Sequence, residues 1–539
     1  MKKLILSISI FFGLLINAQV TEVTTDLTWT GNVSIAGKVV VLPPATLTIE
    51  PGTVVKAAFN ADPVDATALV VAKGGTIIAN GTAVLPIIFT SEYDPLTAED
   101  VAAGTYAASG YDLTIGGLWG GLIVLGDNVI GEDGGVESIE GIVEGESWTE
   151  YGGSETNDSS GSMKYISIRH GGATIGNGDE INGLTLGGVG NGTVIENIEI
   201  VSNTDDGIEF FGGNVNVNNL LIYNQTDDAI DIDEAYSGTV TNSLVVLGAG
   251  SDNVFEIDGS EDSTGAVTGS YTINNVTAVG ATGQTQMDQY GHWKSGATGA
   301  NNNVVFKDFA TGTYLEGIES STFNAGTLTF SNLDFVTSDN LATVNSISSR
   351  SASDELGELT STHAEILAEQ LAGTGANTCA FSGWTAYSTV DTALCGAQNI
   401  GDGTVTVINQ DITWSGDINL NGKVVVLSPA TLTIEPGTVV KAAFKADPVD
   451  ASAIVIARGG TIIANGTAAL PIVLTTEYDP LTAEDVAAGT YVADNFDLTI
   501  GGLWGGLIVL GDNVIGEDGG VESIEGIVEG ETWTEYGGS

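Results

Sequence analysis

Positive charge is scarce in this chain of 539 residues: 14 Lys and Arg stand against 69 Asp and Glu, a formal net charge of −55. Such a surface repels nucleic acid and anionic membranes, so no nucleic-acid partner is expected. Cysteine is nearly absent. Cys379 and Cys395 are the only two, so no disulfide framework carries the fold. In an oxidising compartment the pair reads as a bridge closing a short loop, with two reduced structural thiols as the alternative. Histidine is limited to His170, His292 and His363, each read as a hydrogen-bonded structural residue. After the first twenty residues no apolar run approaches the ~18 residues of a transmembrane helix, so no spanning segment is expected. Acidity of this degree often means disorder, but a hydrophobic fraction of 42% supplies enough apolar material for a core.

The amino terminus, MKKLILSISIFFGLLINAQV, has the basic start, short apolar stretch and small-residue cleavage site of a secretory signal over residues 1–18, cut after Ala18. Export to the outside or to the outer cell surface follows from it. Proline and methionine are few (11 and 3), whereas glycine is abundant at 74 residues. That balance predicts an all-β chain with many tight turns.

Two scales of repetition organise the chain. DLTWTGNVSIAGKVVVLPPATLTIEPGTVVKAAF at 26–59 returns as DITWSGDINLNGKVVVLSPATLTIEPGTVVKAAF at 411–444, and the match runs without a gap to WTEYGGS at 533–539. This is a tandem duplication. It predicts one module over 19–400 and the start of a second over 401–539, a duplicate of 26–154 that is incomplete and belongs to a longer protein. Within a module, short β-branched runs alternate with turns: VVVL (39–42), LTI (47–49), TVVKA (53–57), LVVAK (69–73), TIIA (76–79) and IIFT (87–90). Further on, residues 194–213, 215–238 and 240–262 align with one another. Ile198, Leu220 and Leu244 fall in equivalent places, as do Asp206, Asp228 and Asp252. A period in the low twenties with several short strands per unit predicts a parallel β-helix, a solenoid whose stacked coils supply the core. Helical patterning is local, at 94–105 and at 353–373. The latter, with 380–396, is expected to cap the stack near 353–396, since an open last coil would leave strand edges unpaired.

The segments LTIEPGTVVKA, GGTIIANGT, GGLWGGLIVLG, YISIRHGG, INGLTLGGVGNGT and NTDDGIEFFGG together resemble the large secreted right-handed β-helix proteins, of pectate-lyase-like fold, that Gram-negative bacteria export by type IX secretion. The resemblance covers nearly all of 26–385 and again 411–539. It implies a cell-surface protein and little about chemistry, because members are mostly of unknown activity and one fold hosts adhesins, lyases, hydrolases and inert stalks.

The candidate chemistry lies in repeated acidic turns. NTDDGIEFFGG (203–213), TDDAIDIDEAYSG (226–238) and GSDNVFEIDGSED (250–262) place Asp205, Asp206, Asp227, Asp228 and Asp252 at coil spacing. Three roles suit such a ladder. Asp side chains accept backbone N–H groups at turns. Carboxylates stacked a coil apart offer the several oxygen ligands that Ca²⁺ requires, the one cofactor expected. Asp206 and Asp228 are the pair for an acid and base if the chain hydrolyses or cleaves polysaccharide. NTDDG is similar to the Asn-Thr-Asp-Gly segment of polygalacturonases, but their Gly-His-Gly and Arg-Ile-Lys motifs are missing. A lyase needs a basic residue beside the carboxylates. Residues 194–262 contain no Lys or Arg, and the nearest in sequence are Lys164 and Arg169. Trp148 and Tyr151, echoed by Trp533 and Tyr536, lie in an acidic loop where rings could stack on sugars, or else cover the flank of the coils. The balance favours an adhesive, structural or carbohydrate-binding surface protein with glycans or a neighbouring surface as partner. The alternative is a polysaccharide hydrolase or lyase using the Asp turns.

Overall fold

The computed structural model describes residues 20–61, 65–139, 146–173, 181–281, 289–309, 314–336, 375–391, 394, 398–401, 403–409, 411–487, 489–493, 496–515, 521–524 and 532–538. The predicted leader, the predicted helix at 353–373 and Cys395 lie outside the described residues. Cys379 is disulfide-bonded, and Cys395 is the only other cysteine in the chain. The chain forms two compact units, one within residues 1–377 and 384–390, the other within 378–383 and 391–539.

Each β-branched run singled out above is a strand. Residues Lys38–Val41, Thr46–Ile49, Val54–Ala57, Ala68–Val71, Thr76–Asn80 and Ile87–Ser91 are extended. Alternation decides which way each side chain faces. In Thr46–Ile49, Leu47 and Ile49 enter the core while the threonines face out. Strands pair in parallel with the strand one coil away, as an all-β right-handed parallel β-helix requires. In the first unit this builds a ten-stranded sheet from Thr21–Val23 to Tyr314–Glu316 and a second, fourteen-stranded sheet. The second unit has sheets of four, four and three strands built on the same plan. The helix expected near 94–105 is Ala98–Ala102, opened by a capping box between Thr97 and Asp100.

The second sheet contains strands of eight or nine residues, such as Val194–Val201 and Tyr271–Val279. Gly161–Arg169 bends at Tyr165, φ 50°, and the other five bend at an asparagine in the left-handed region: Asn197, Asn219, Asn242, Asn275 and Asn303, with φ between 58° and 61°. Asparagine tolerates that conformation and its amide then bonds along the axis. Asn219 Nδ2 donates to Asn197 Oδ1 at 3.0 Å, and Asn242 Nδ2 to Asn219 Oδ1 at 2.7 Å. Asn219→Ala removes a link in both directions and should cost ~1–3 kcal/mol in a urea titration. An unchanged midpoint would show that the amide ladder contributes nothing to stability.

Register corrects two sequence alignments. Leu220 pairs with Ser243, and Leu244 pairs instead with Leu221. Likewise Ile230 pairs with Phe255, which places Asn253 rather than Asp252 above Asp228. The third coil is longer: its backbone-to-Asp link spans 25 residues where the one below spans 22. Against the 24-residue spacing of both aligned pairs, the pairing steps 23 residues from Leu220 to Ser243 and 25 from Asp228 to Asn253, so the two positions shift by one place in opposite directions.

Most of the segment expected as a cap, 353–374 included, lies outside the described residues. Residues 375–377 and 384–390 lie along the flank of the second sheet. Gly375 N donates to Asn303 Oδ1, Ala376 N to Thr277 Oγ1 and Asn377 N to Asn242 Oδ1. Ala386 N and Tyr387 N both donate to Glu199, at 3.0 and 2.9 Å. Trp384 packs edge-on against Tyr165, and Tyr387 against Tyr223. Outward acceptors stacked at coil spacing satisfy the N–H groups of a strap running across them.

Candidate functional site

The acidic turns feed directly into short strands of the ten-stranded sheet: Ile208–Phe211, Ile230–Asp233 and Phe255–Ile257. Alternation sends Ile208, Phe210, Ile230, Ile232, Phe255 and Ile257 into the core. The residues between them face outward in rows. One row is Thr185, Glu209, Asp231, Glu256, His292 and Glu316. Asp233 and Asp258 stand in the next row. Asp206 and Asp228 stack just before the strands, and Asp205, Asp227 and Asp252 form the outer edge.

The geometry brings the predicted residues together and adds others. Four groups of three carboxylates each have oxygens within 4.8 Å of one another: Asp205, Asp206 and Asp227; Asp206, Asp228 and Asp231; Glu209, Asp231 and Asp233; Asp227, Asp228 and Asp252. Asp206, Asp228 and Asp231 are 6%, 2% and 7% exposed. Two of the predicted aspartates bind backbone across a coil: Asp206 Oδ1 accepts the N–H of Asp228 at 2.8 Å, and Asp228 Oδ1 that of Asn253 at 2.7 Å. The cluster reuses the same carboxylates, while Asp231 Oδ1 is buried without a hydrogen bond.

Crowding like charges in a dry site disfavours ionisation. Burial, then the neighbouring Glu209 and Asp228, pushes the Asp206 pKa well above the usual carboxylate range. Burial, then Glu256, does the same at Asp228, and burial, then Asp206, at Asp231. Burial and Asp258 raise Asp233 to about 8, against the opposing pull of Lys294. Glu234 rises to about 8, chiefly by burial.

The basic partner absent from 194–262 comes from farther along the chain. Lys294 Nζ lies 2.7 Å from Glu256 Oε1 and 2.9 Å from Asp258 Oδ2. His292 Nδ1 is 3.8 Å from Glu256. The two basic residues nearest in sequence serve the other sheet, Lys164 pairing with Glu196 and the buried Arg169 with Glu199. His170 is also occupied elsewhere, its Nδ1 2.5 Å from the Ile115 carbonyl and its ring edge-on to Tyr111.

Trp148 and Tyr151 are not open rings: they are 6% and 2% exposed. They cover outward-facing Val70, Ile123 and Leu125, and the Tyr151 hydroxyl donates to Glu234 Oε1 at 2.6 Å. Apolar residues on the outer face of the sheet need a cover, and these rings supply it. Trp533 is buried in the same way in the second unit.

Glu209, Asp231, Asp233, Glu256, Asp258 and Lys294 were not singled out from sequence. The signal was present in the apolar–acidic alternation of GIEFF, AIDID and VFEID, which places every second residue on one outer face.

Fold and site together define a β-helix with a buried carboxylate ladder along one sheet. The chain belongs to the pectate-lyase-like beta helix domain family, whose profile matches residues 19–388 and 406–539. No curated protein and no solved structure matches it. Among the described residues no helix is long and apolar enough to cross a membrane.

Proposed function

We propose that the protein is an exported, surface-exposed β-helix of adhesive or carbohydrate-binding function, whose carboxylate ladder holds Ca²⁺. The observation that carries this reading is the set of four carboxylate triads with oxygens within 4.8 Å. Ca²⁺ takes six to eight oxygens at flexible geometry, and a bound cation offsets the charge of buried acids that otherwise stay protonated. The signal-like leader and family membership support export and a carbohydrate-related role.

An enzyme built on Asp206 and Asp228 is disfavoured by their burial and by the backbone bonds each already accepts. Lys294 makes a poor base. Burial works against its charge, but the hydrogen bonds it donates to Glu256 and Asp258 outweigh that and hold it protonated.

For glycan contact two exposed ring pairs stand out among the described residues: Phe59 with Tyr93, centroids 6.1 Å apart, and their duplicates Phe444 with Tyr478, 6.2 Å apart. Both tyrosines are 57% exposed. Glycan-array binding should weaken by about 0.5–1.5 kcal/mol per ring in Tyr93→Ala and Tyr478→Ala. A reducing-sugar assay run alongside should stay silent; sugar release that depends on Asp206 or Asp228 would replace the binder with an enzyme.

A further inference from the structure

Residues 170–293 contain no Lys or Arg, so the ladder from Asp205 to Glu256 has no Lys or Arg on its own coils. The next coil changes that. Lys294 N donates to the Ile257 carbonyl at 2.9 Å, which sets the side chain beside Asp258 in the row of Asp233. Its ammonium bonds Glu256 and Asp258 together. Asp258 in turn stands against the carboxyl of Asp233.

Two independent observations coincide with this ammonium. Among the described residues, every triad with metal-ligand spacing lies between Asp205 and Asp252, and none includes Glu256 or Asp258. The buried Asp231 Oδ1, with no hydrogen bond, belongs to a residue shared by two of those triads. The metal-competent stretch therefore stops where Lys294 begins.

We propose that Lys294 is the ladder's built-in cation: its ammonium fills the rung of Glu256 and Asp258, excludes divalent ions from it, and so sets how many ions the ladder takes. This rests on the reading that the triads bind Ca²⁺. The physical reason is direct. An ammonium donates three hydrogen bonds and supplies no ligand oxygen, while its charge repels a divalent ion at the adjacent position. Without it, Glu256, Asp258 and Asp233 present carboxylates from two neighbouring coils, about 4.8 Å apart in strand spacing.

The test counts calcium ions per full-length chain by equilibrium dialysis after chelator treatment. Lys294→Met should bind one ion more than the wild type, and Lys294→Arg the same number. Asp258→Asn should lose none, because its rung holds an ammonium in the wild type. An unchanged count in Lys294→Met beside a calcium-binding wild type overturns the inference. So does loss of one ion in Asp258→Asn, which also decides the matter if Lys294→Met fails to fold. A wild type that takes up no calcium instead sinks the underlying reading of the ladder.

Discussion

Stripped of divalent cations, the protein should be most stable near pH 4–5 and should weaken steadily as the pH rises toward 8. The sign follows from linkage. Asp206, Asp228 and Asp231 are raised by burial, and Asp233 and Glu234 hold their protons to about pH 8. The unfolded chain releases the same protons near pH 4. Between those limits the folded state binds more protons, so raising the pH favours unfolding, by on the order of 1.4 kcal/mol per pH unit for each group within its window. Calcium should reverse the trend, because it replaces the protons. The gain in melting temperature on adding millimolar Ca²⁺ should be small at pH 5 and large at pH 8. At a hundredfold excess over Kd each site adds ~2.7 kcal/mol. Thermal melts across pH, with chelator and with calcium, check both arms. A calcium effect of zero at pH 8 would remove the metal role, and a chelated protein that gains stability from pH 5 to 8 would contradict the buried acids.

Glu199→Ala should destabilise the first unit by ~3–5 kcal/mol, because it strands a buried cation. Arg169 is fully buried, with Nη2 3.7 Å from Glu199 Oε2 and Nε bonded to Ser167 Oγ at 2.7 Å. Burial alone pulls the Arg169 pKa down, and the Glu199 charge opposes that pull. Glu199 also accepts the N–H groups of Ala386 and Tyr387, so its loss releases the strap from the flank. Two readouts follow: a lower urea midpoint, and new protease cleavage within 384–390. Pairing the change with Arg169→Met should recover much of the midpoint, since the uncompensated charge is then gone. Cleavage should persist in that double variant, because the strap's acceptor is still missing. Full stability of Glu199→Ala would mean that the strap is held by its aromatic contacts alone.

The strand positions were legible in the sequence because they depend on neighbours a few places away. Runs such as TLTI carry their own alternation, and turns such as Pro51-Gly52, Gly74-Gly75 and Asn80-Gly81 punctuate them. The ladder was half legible. Asp206 and Asp228 sit in visibly repeated turns, but Asp252 took the place of Asn253 because a longer coil shifts register in a way only pairing reveals. For Trp148 and Tyr151 the sequence left sugar stacking and flank covering both open, because an acidic loop sequence says nothing about what that loop covers; the structure has both rings buried over the coils.

Sequence by itself determined the β-helix, the tandem duplication and the acidic turns, since each is a periodicity, and periodicity survives without coordinates. Tertiary structure decided what those turns become. Stacking brought Glu209, Asp231 and Asp233 beside the predicted aspartates, buried them together, and supplied Lys294 from a coil far along the chain. Charge and burial act through space, and a solenoid converts separations of twenty-odd residues into a few ångströms.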